Sequence, residues 1–213
     1  TQLTEINVDE ANPYFSSLDG VLTDKNRTTI VAYPAGKGKR YIIPDGITKI
    51  GTHSFFACPI TYIHTPNSVK TIELFAFASC TDLDTIILGN SVDSIEGAAF
   101  RINDRLKTIY SMNPIPPAAH PEAFSSFSPM FFIQCTLHVP VGSLQAYKNA
   151  EVWKNFKNIV ENNFTGIERP SPDKAKIFGN KNSIAFRNIE PGTDISIYDT
   201  TGKCIKTFAV DGD

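Results

Sequence analysis

The sequence predicts a mainly β repeat solenoid, a right-handed coil of units about 23 residues long that is followed by a small antiparallel β domain. Two observations predict it. Aliphatic and phenylalanine residues recur at a constant spacing through the middle of the chain, and short alternating apolar segments replace that period near the C terminus. The chain has 213 residues, of which 41% are hydrophobic and 20% charged, a composition typical of globular proteins.

The repeat is visible in columns of residues that keep their register from one unit to the next. Ile60, Leu83 and Leu106 open three successive units, each 23 residues after the one before. One unit upstream, the same pattern continues after a one-residue deletion. The other inward columns hold aliphatic residues at the fourth, tenth and thirteenth positions: Ile63, Ile86 and Ile109; Val69 and Val92; Ile72 and Ile95.

One such unit reads as a short strand, a turn and a second strand, and it cannot bury its apolar face alone. Stacked units can, because strands spaced ~4.8 Å apart in a parallel ladder place like residues on top of one another. Pro44, Pro66 and Gly89 share one column after the first strand, where the chain turns a corner. The eighteenth-position column predicts a buried spine formed by Phe55, Phe77, Phe100 and Phe124.

The units divide residues 1–162 into an N-terminal hairpin repeat, four regular repeats and a C-terminal cap. Their limits are 3–37, 38–59, 60–82, 83–105, 106–128 and 129–162. In the first unit, Leu3 and Ile6 hold the first and fourth positions. The turn-rich residues 24–27 lie between two apolar segments and predict a β-hairpin.

The period is lost beyond Phe124, and the residues that follow predict a closing segment. Residues 136–140 alternate like a last strand, and Ser143 is placed to cap a short helix. Because repeat arrays need terminal caps, we expect Trp153 to close the open end of the core.

A change in composition marks the end of the repeat domain. Residues 163–173 are polar and contain proline, which predicts a linker. Residues 174–213 contain four alternating segments and predict a small β-sandwich-like C-terminal domain. At about 40 residues this domain buries little apolar surface alone. The possibility that further strands after Asp213 complete it stays open.

Charge and motif content exclude several classes of function. The formal net charge is −2 at pH 7, so nothing steers the chain toward nucleic acid or anionic membrane. The longest apolar run is far shorter than the ~18–20 residues of a membrane span, so no membrane insertion is expected. The four histidines lack metal-ligand spacing and there is no nucleophile elbow, so we predict no metal, no cofactor and no enzyme activity.

Two features near the repeats allow more than one interpretation. Cys58 and Cys80 hold the same column in neighbouring units, so they form a disulfide or are two buried thiols. Asn103 fills that column in the next unit and is expected to pair with backbone. Residues 36–40, GKGKR, lack the spacing of a phosphate-binding loop and carry a small basic cluster of a kind that is usually only solvated.

The candidate binding site is the outward side of the first predicted sheet. The fifth position of each unit points opposite to the inward fourth and sixth positions, and the third position shares the outward side. Contiguous exposed apolar surface usually marks a contact, and tyrosine is favoured as an interface anchor. Alternatively, the loop 113–135 or the C-terminal domain covers this side. The candidate ligand-binding residues are Ile42, Tyr62, His64, Ile87 and Tyr110.

Three segments carry a family resemblance: NPYFSSLDGVLTDKNRTTIVAYPAG, IPDGITKIGTHSFFAC and NSVKTIELFAFASC. They resemble the BspA-like leucine-rich repeat family, which implies a coil of the leucine-rich-repeat type. The segment VPVGSLQAYKNAEVWKNFKNIVE is similar to the closing segment common in that family. Near the C terminus, ISIYDTTGKCIKTF resembles the β-sandwich tails that follow such repeats in secreted bacterial proteins.

The resemblance implies a secreted or cell-surface bacterial protein, and it carries no catalytic residues. Some family members bind host matrix proteins or other cells. We therefore expect a non-catalytic extracellular binding or adhesion module that recognises a host or microbial surface protein or glycan through the exposed sheet face. The alternative is a rigid structural spacer that displays another domain. Since residue 1 is Thr, we expect that a targeting segment is missing from the sequence.

Overall fold

The computed structural model describes residues 3–126, 128 and 130–164, together with the backbone of four strands between residues 176 and 209. The chain divides into two compact units, Thr1–Thr165 and Gly166–Asp213. Within the described residues, no helix is both long and apolar enough to cross a bilayer.

The first unit is built from short strands. They are β1 Phe15–Leu18, β2 Val21–Asp24, β3 Thr29–Ala32, β4 Arg40–Ile42, β5 Lys49–Ile50, β6 Tyr62–His64, β7 Thr71–Ile72, β8 Thr85–Leu88, β9 Ser94–Ile95, β10 Thr108–Ser111, β11 Ala118–Ala119, β12 Thr136–Pro140 and β13 Asn158–Asn162. Helices α1 Phe131–Gln134 and α2 Leu144–Asn149 and a 3-10 helix, Trp153–Asn155, lie near the end of the unit.

Two sheets form the walls of the coil. The first has six strands in the order β13–β12–β10–β8–β6–β4, all parallel. The second has the order β1–β2–β3–β5–β7–β9–β11, with antiparallel pairs only at the β1–β2–β3 end. Each regular unit gives one strand to each sheet. The first unit is therefore a mainly β solenoid of about six turns, and the predicted repeat solenoid is confirmed.

The column of corner residues brings successive units into close backbone contact. A Cβ atom built on Gly89 would lie 2.3 Å from the carbonyl oxygen of Pro66. The Gly89 N–H donates to the Thr65 hydroxyl oxygen at 2.9 Å. Glycine is required here because any side chain would push the two turns apart.

The predicted phenylalanine spine is confirmed. Phe55, Phe77, Phe100 and Phe124 are all buried, and successive ring centroids lie 4.8, 5.3 and 5.1 Å apart. Tyr33 extends the stack at its N-terminal end, with its ring centroid 4.9 Å from that of Phe55. The spacing between rings matches the ~4.8 Å between strands, so the spine is a direct consequence of stacking like units.

The column of Cys58, Cys80 and Asn103 binds the backbone of the spine. The Cys80 thiol donates to the Phe55 carbonyl oxygen at 3.0 Å, and the Asn103 side-chain N–H donates to the Phe77 carbonyl oxygen at 3.0 Å. Cys58 makes the equivalent, longer contact of 3.8 Å with the Tyr33 carbonyl. Cys58 and Cys80 are free thiols, so the disulfide alternative is wrong and the backbone role expected for Asn103 is confirmed.

The N-terminal hairpin is confirmed as the antiparallel pair β2–β3. The Asp24 carboxylate accepts from the Thr28 and Thr29 N–H groups at 2.7 and 2.8 Å and closes the turn. The inward role predicted for Leu3 is wrong, because its side chain is 60% exposed. Its carbonyl accepts from the Gly36 N–H, so the backbone there runs along the outside while β2 and β3 fill the core.

The cap contains the strand predicted for residues 136–140, now β12, and Trp153 closes the core as expected. Trp153 is fully buried, its ring lies 5.5 Å from that of Phe124, and its indole N–H donates to the Pro117 carbonyl at 2.7 Å. Helix α2 begins after Ser143, but the Ser143 side chain makes no capping bond. The Glu161 carboxylate accepts from the Leu144 N–H instead.

The second unit has its strands where the sequence predicts them. They are β14 Lys176–Asn180, β15 Ser183–Arg187, β16 Asp194–Tyr198 and β17 Cys204–Ala209. They pair as two antiparallel hairpins, β14 with β15 and β16 with β17. The turns between them and residues 165–173 of the linker lie outside the described residues. The sandwich-like arrangement and the domain limits stay predictions.

Candidate functional site

The outward fifth positions of the units align across every strand of the six-stranded sheet. Strand register places each of them directly opposite its equivalent on the neighbouring strand. We call this set the outer row. It comprises Ile42, His64, Ile87, Tyr110, His138 and Val160.

The sequence analysis missed the last two members of the outer row, His138 and Val160. The regular period ends before them, so counting in steps of 23 does not reach either residue. One signal was available for His138, because it is the outward middle residue of the strand predicted at 136–140. Val160 lies on β13, for which the sequence offered no strand pattern, and it is 46% exposed.

Exposure along the outer row is highest at its two ends. Ile42 is 43% exposed on the edge strand β4, whereas His64 and Tyr110 are half-buried. The expectation that Ile87 faces solvent is wrong, because it is only 3% exposed. Its neighbours across the sheet are the larger rings of His64 and Tyr110, which stand on either side of a shorter side chain.

Aromatic contacts occupy the C-terminal part of the outer row. The Tyr110 ring stacks on the His138 ring with centroids 4.6 Å apart. Phe164 packs edge-on against Tyr110 at 6.5 Å, in the segment where the chain leaves the last strand. Its N–H donates to the Asn162 side-chain oxygen at 2.7 Å, which fixes that turn. Burial lowers the pKa of His138, which favours the neutral form of the ring.

The strand within the loop 113–135 does not cover the outer row. Its residues Ala118–Ala119 form β11 and pair with β9 in the other sheet. The cover over Tyr110 comes instead from Phe164, which lies just beyond the repeat domain predicted to end at residue 162. Part of the predicted binding surface therefore packs against the chain itself.

The outward third positions form a second row beside the first, beginning with Arg40 and Tyr62. The Arg40 guanidinium carbon lies 4.0 Å from the centroid of the Tyr62 ring, a cation–π contact. Thr85 and Thr108 follow on the next two strands. Arg40 and Ile42 both project from the outward side of β4, so a charge, a ring and an aliphatic side chain meet at this edge.

The chemistry available on this face is that of surface recognition. Among the residues that the structure describes, no three His, Cys, Asp or Glu side chains are grouped to hold a metal ion. Shallow grooves lie elsewhere in the described part of the chain, among them one around Arg101 and Ser126 and one around Lys70 and Pro117. A flat sheet face binds through complementary shape and charge, not by enclosing a small molecule.

Comparison with protein families identifies the repeat. Residues 34–138 match the BspA type leucine rich repeat region, in six copies. Residues 34–138 therefore carry repeats of the BspA type, as the sequence resemblance indicated. Proteins of this repeat type are non-enzymatic, so the prediction of no enzyme activity is confirmed for the repeat region, and the match is consistent with a binding or a structural role.

Several solved structures are similar to this chain. The pneumococcal vaccine antigen PcpA is 18% identical, with a TM-score of 0.49, over 75% of this chain and 50% of that one. A leucine-rich repeat protein from Bacteroides capillosus is 21% identical, with a TM-score of 0.41, over 75% and 99%. A leucine rich cell surface protein from Faecalibacterium prausnitzii is 17% identical, with a TM-score of 0.38, over 70% and 40%. No curated protein matches the sequence. The aligned part spans about half the length of PcpA.

Proposed function

We propose that the repeat domain is a non-catalytic extracellular binding module that recognises a surface protein or glycan through the N-terminal half of the six-stranded sheet. The observation that carries the proposal is the edge at β4, where Ile42 is 43% exposed beside Arg40 and Tyr62. Exposed apolar and aromatic groups next to a charge are the usual composition of a contact surface. The match to repeats of the BspA type supports secretion or display at the cell surface.

Burial narrows the candidate residues to one part of the outer row. Ile87 is buried, and Tyr110 packs against His138 and Phe164. Ile42, Tyr62 and His64 therefore form the core of the proposed contact surface. Tyr62 is the expected anchor, because truncation of an interface tyrosine commonly costs ~2 kcal/mol or more of binding free energy.

The test is a binding screen of the full chain against purified extracellular-matrix proteins and a glycan array. Any hit is then measured with Ile42→Asp and with the matched control Ile115→Asp, whose residue is 73% exposed in the loop before β11. Ile42→Asp should weaken binding at least about tenfold, while Ile115→Asp changes it less than twofold. Equal binding by both variants would reject this face as the contact surface.

A rigid spacer is the second candidate function, and one observation favours it. Phe164 packs against Tyr110 where the chain leaves β13, which suits a coil with a fixed end. The spacer predicts no ligand in the same screen. A reproducible hit that Ile42→Asp abolishes would count against it.

A further inference from the structure

A basic cluster lies where the chain enters β4, at the N-terminal edge of the proposed contact surface. Lys39 and Arg40 are exposed and Lys37 is half-buried, so three cations lie within four residues. The whole chain carries a net charge of −2, so this cluster is a local departure from the overall charge. We call Lys37, Lys39 and Arg40 the basic corner.

The basic corner differs from the equivalent positions on later units. There, each cation has a carboxylate on the preceding unit: Arg105 lies 3.0 Å from Asp82, and Lys107 lies 3.4 Å from Asp84. Lys39 begins the same column, and its neighbour on the next unit is Thr61. Within the described ranges, none of the ion pairs involves the basic corner.

Arg40 is held in a defined place. Its guanidinium lies over the Tyr62 ring, and this contact restricts the side chain. An arginine held in this way loses less side-chain entropy when it binds an anion, and it pairs in bidentate fashion with a carboxylate or a sulfate. The corner is thus arranged for an anionic ligand that also touches Ile42.

We propose that the ligand of this face is an anionic polysaccharide, whose sulfate or uronate groups pair with the basic corner while sugar C–H faces pack on Ile42 and Tyr62. The inference rests on the proposed function, because it names the ligand class of the same surface. Each cation of the basic corner can pair with the sulfate or carboxylate group of one sugar. The polysaccharide chain would lie across the edge of the sheet at β4.

Two other anionic partners fit the surface less well. An extended acidic peptide would add to the open edge of β4, but this strand has three residues and is followed within two positions by Pro44, which has no N–H to donate. An anionic membrane is usually engaged by clusters of about four to eight cations, more than the basic corner holds.

The experiment titrates the 213-residue chain with dextran sulfate, polygalacturonate and uncharged dextran of similar size in 50 mM and 300 mM salt. The expected result is binding to at least one polyanion, weakened at high salt, with no binding to dextran. The double variant K39Q/R40Q should bind about tenfold more weakly or worse, since charge-assisted hydrogen bonds to two cations are lost. Sulfate-only or uronate-only binding identifies the source of the charge.

The matched control is K154Q/K157Q, which removes two exposed cations near the opposite end of the sheet. It should change affinity less than twofold, and an equal loss in both double variants would overturn the inference in favour of net charge alone. Thermal melting of each variant separates misfolding from loss of contact. Polyglutamate and vesicles of anionic lipid are titrated in parallel as a peptide and a membrane probe. Equal affinity for dextran, or binding only to polyglutamate or to the vesicles, would also overturn the inference.

The binding face and the anionic polysaccharide ligand can be tested independently. The screen can yield a neutral or protein ligand whose binding is abolished by Ile42→Asp and unchanged by K39Q/R40Q. That result would contradict the polysaccharide inference and support the binding face. Unchanged ligand binding by Ile42→Asp, together with no binding to either polyanion, would contradict both proposals.

Discussion

The two ends of the six-stranded sheet are finished in different ways. At the C-terminal end, the segment between β12 and β13 places Trp153 in the core. Phe164, just after β13, packs against Tyr110 of the outer row. At the N-terminal end, β4 is a three-residue edge strand with Arg40 and Ile42 exposed. One end is closed by aromatic packing and the other is left open with charges.

The difference shows that a repeat coil can manage its two ends by separate physical means. A packed cap removes apolar surface from water, which stabilises the coil directly. A short, charged edge strand adds little stability, but it prevents further strands from adding to the sheet. The proposed contact surface lies at this open edge, away from the packed core.

The largest expected effect on stability is that of Trp153→Ala, at the closed end. It removes a fully buried ring against Phe124 and the hydrogen bond to the Pro117 carbonyl, so we expect a loss of ~3–5 kcal/mol in the free energy of unfolding. Urea unfolding followed by circular dichroism measures it. Tyr14→Ala, at a residue 75% exposed near the other end, should cost less than about 0.5 kcal/mol. Similar losses in the two variants would contradict the contrast between the ends.

Tyr147→Phe tests the polar contact that joins the cap to the coil. The Tyr147 hydroxyl donates to the Asn113 carbonyl at 2.8 Å and lies 2.7 Å from the Ser111 hydroxyl. Removal of the hydroxyl leaves buried polar groups without their partner, so we expect a loss of ~1–3 kcal/mol. Ser111→Ala combined with Tyr147→Phe should cost less than the sum of the two single variants. Strict additivity would mean that the two hydroxyls do not act together.

At the N-terminal end, stability should depend on acid through Asp24. Burial raises the pKa of its carboxyl, but hydrogen bonds from Thr29 and Thr28 outweigh that effect and hold the pKa below its ordinary value. A lowered pKa in the folded state stabilises the fold above the ordinary pKa of Asp, and this contribution is lost as the pH falls through the folded-state pKa.

Asp24→Asn should therefore cost ~1 kcal/mol at pH 7 and reduce the fall in stability toward acid pH. Urea unfolding at several pH values between 7 and 3 measures both effects. Glu10→Gln, at an exposed residue of the same region, serves as the control and should leave the pH profile unchanged. A profile of Asp24→Asn that parallels the unmodified protein would show that other carboxylates carry the acid dependence.

The smallest expected effect is that of Phe164→Ala. The ring is half-buried and makes an edge contact with Tyr110, so we expect a loss of less than about 1 kcal/mol. Hydrogen exchange should rise in residues 158–164 and stay constant in β6 and β8. Val141→Ala, at a residue 68% exposed, is the control for a surface truncation near the cap. Unchanged exchange at 158–164 would remove the argument that Phe164 fixes the exit of the chain.

The parts of the fold that were predictable are those that depend on one repeated spacing. The stack of Phe55, Phe77 and Phe100 follows from the period alone, because like positions of stacked units must superpose. Parts that depend on residues distant in the sequence were not predictable. The capping of α2 by Glu161 and the cover of Tyr110 by Phe164 both come from β13 or just beyond it.

The candidate site was predictable in position and only partly in exposure. Alternation along a strand says which side Ile87 faces, but it does not say how large the side chains on the two neighbouring strands are. Ile87 is 3% exposed and lies between His64 and Tyr110, each one unit away in the sequence. The exposure of Ile42, by contrast, follows from its place on an edge strand, which has one neighbour instead of two.

The cysteine column gives the coil its own chemical reporter. Burial raises the pKa of the Cys80 thiol to about 12 and that of Cys58 to about 11, so neither is a thiolate at neutral pH. An alkylating reagent can therefore modify them only while a turn of the coil is transiently open. With Cys204 replaced by Ser, the order in which Cys58, Cys80 and Cys135 become alkylated would record which end of the solenoid frays first.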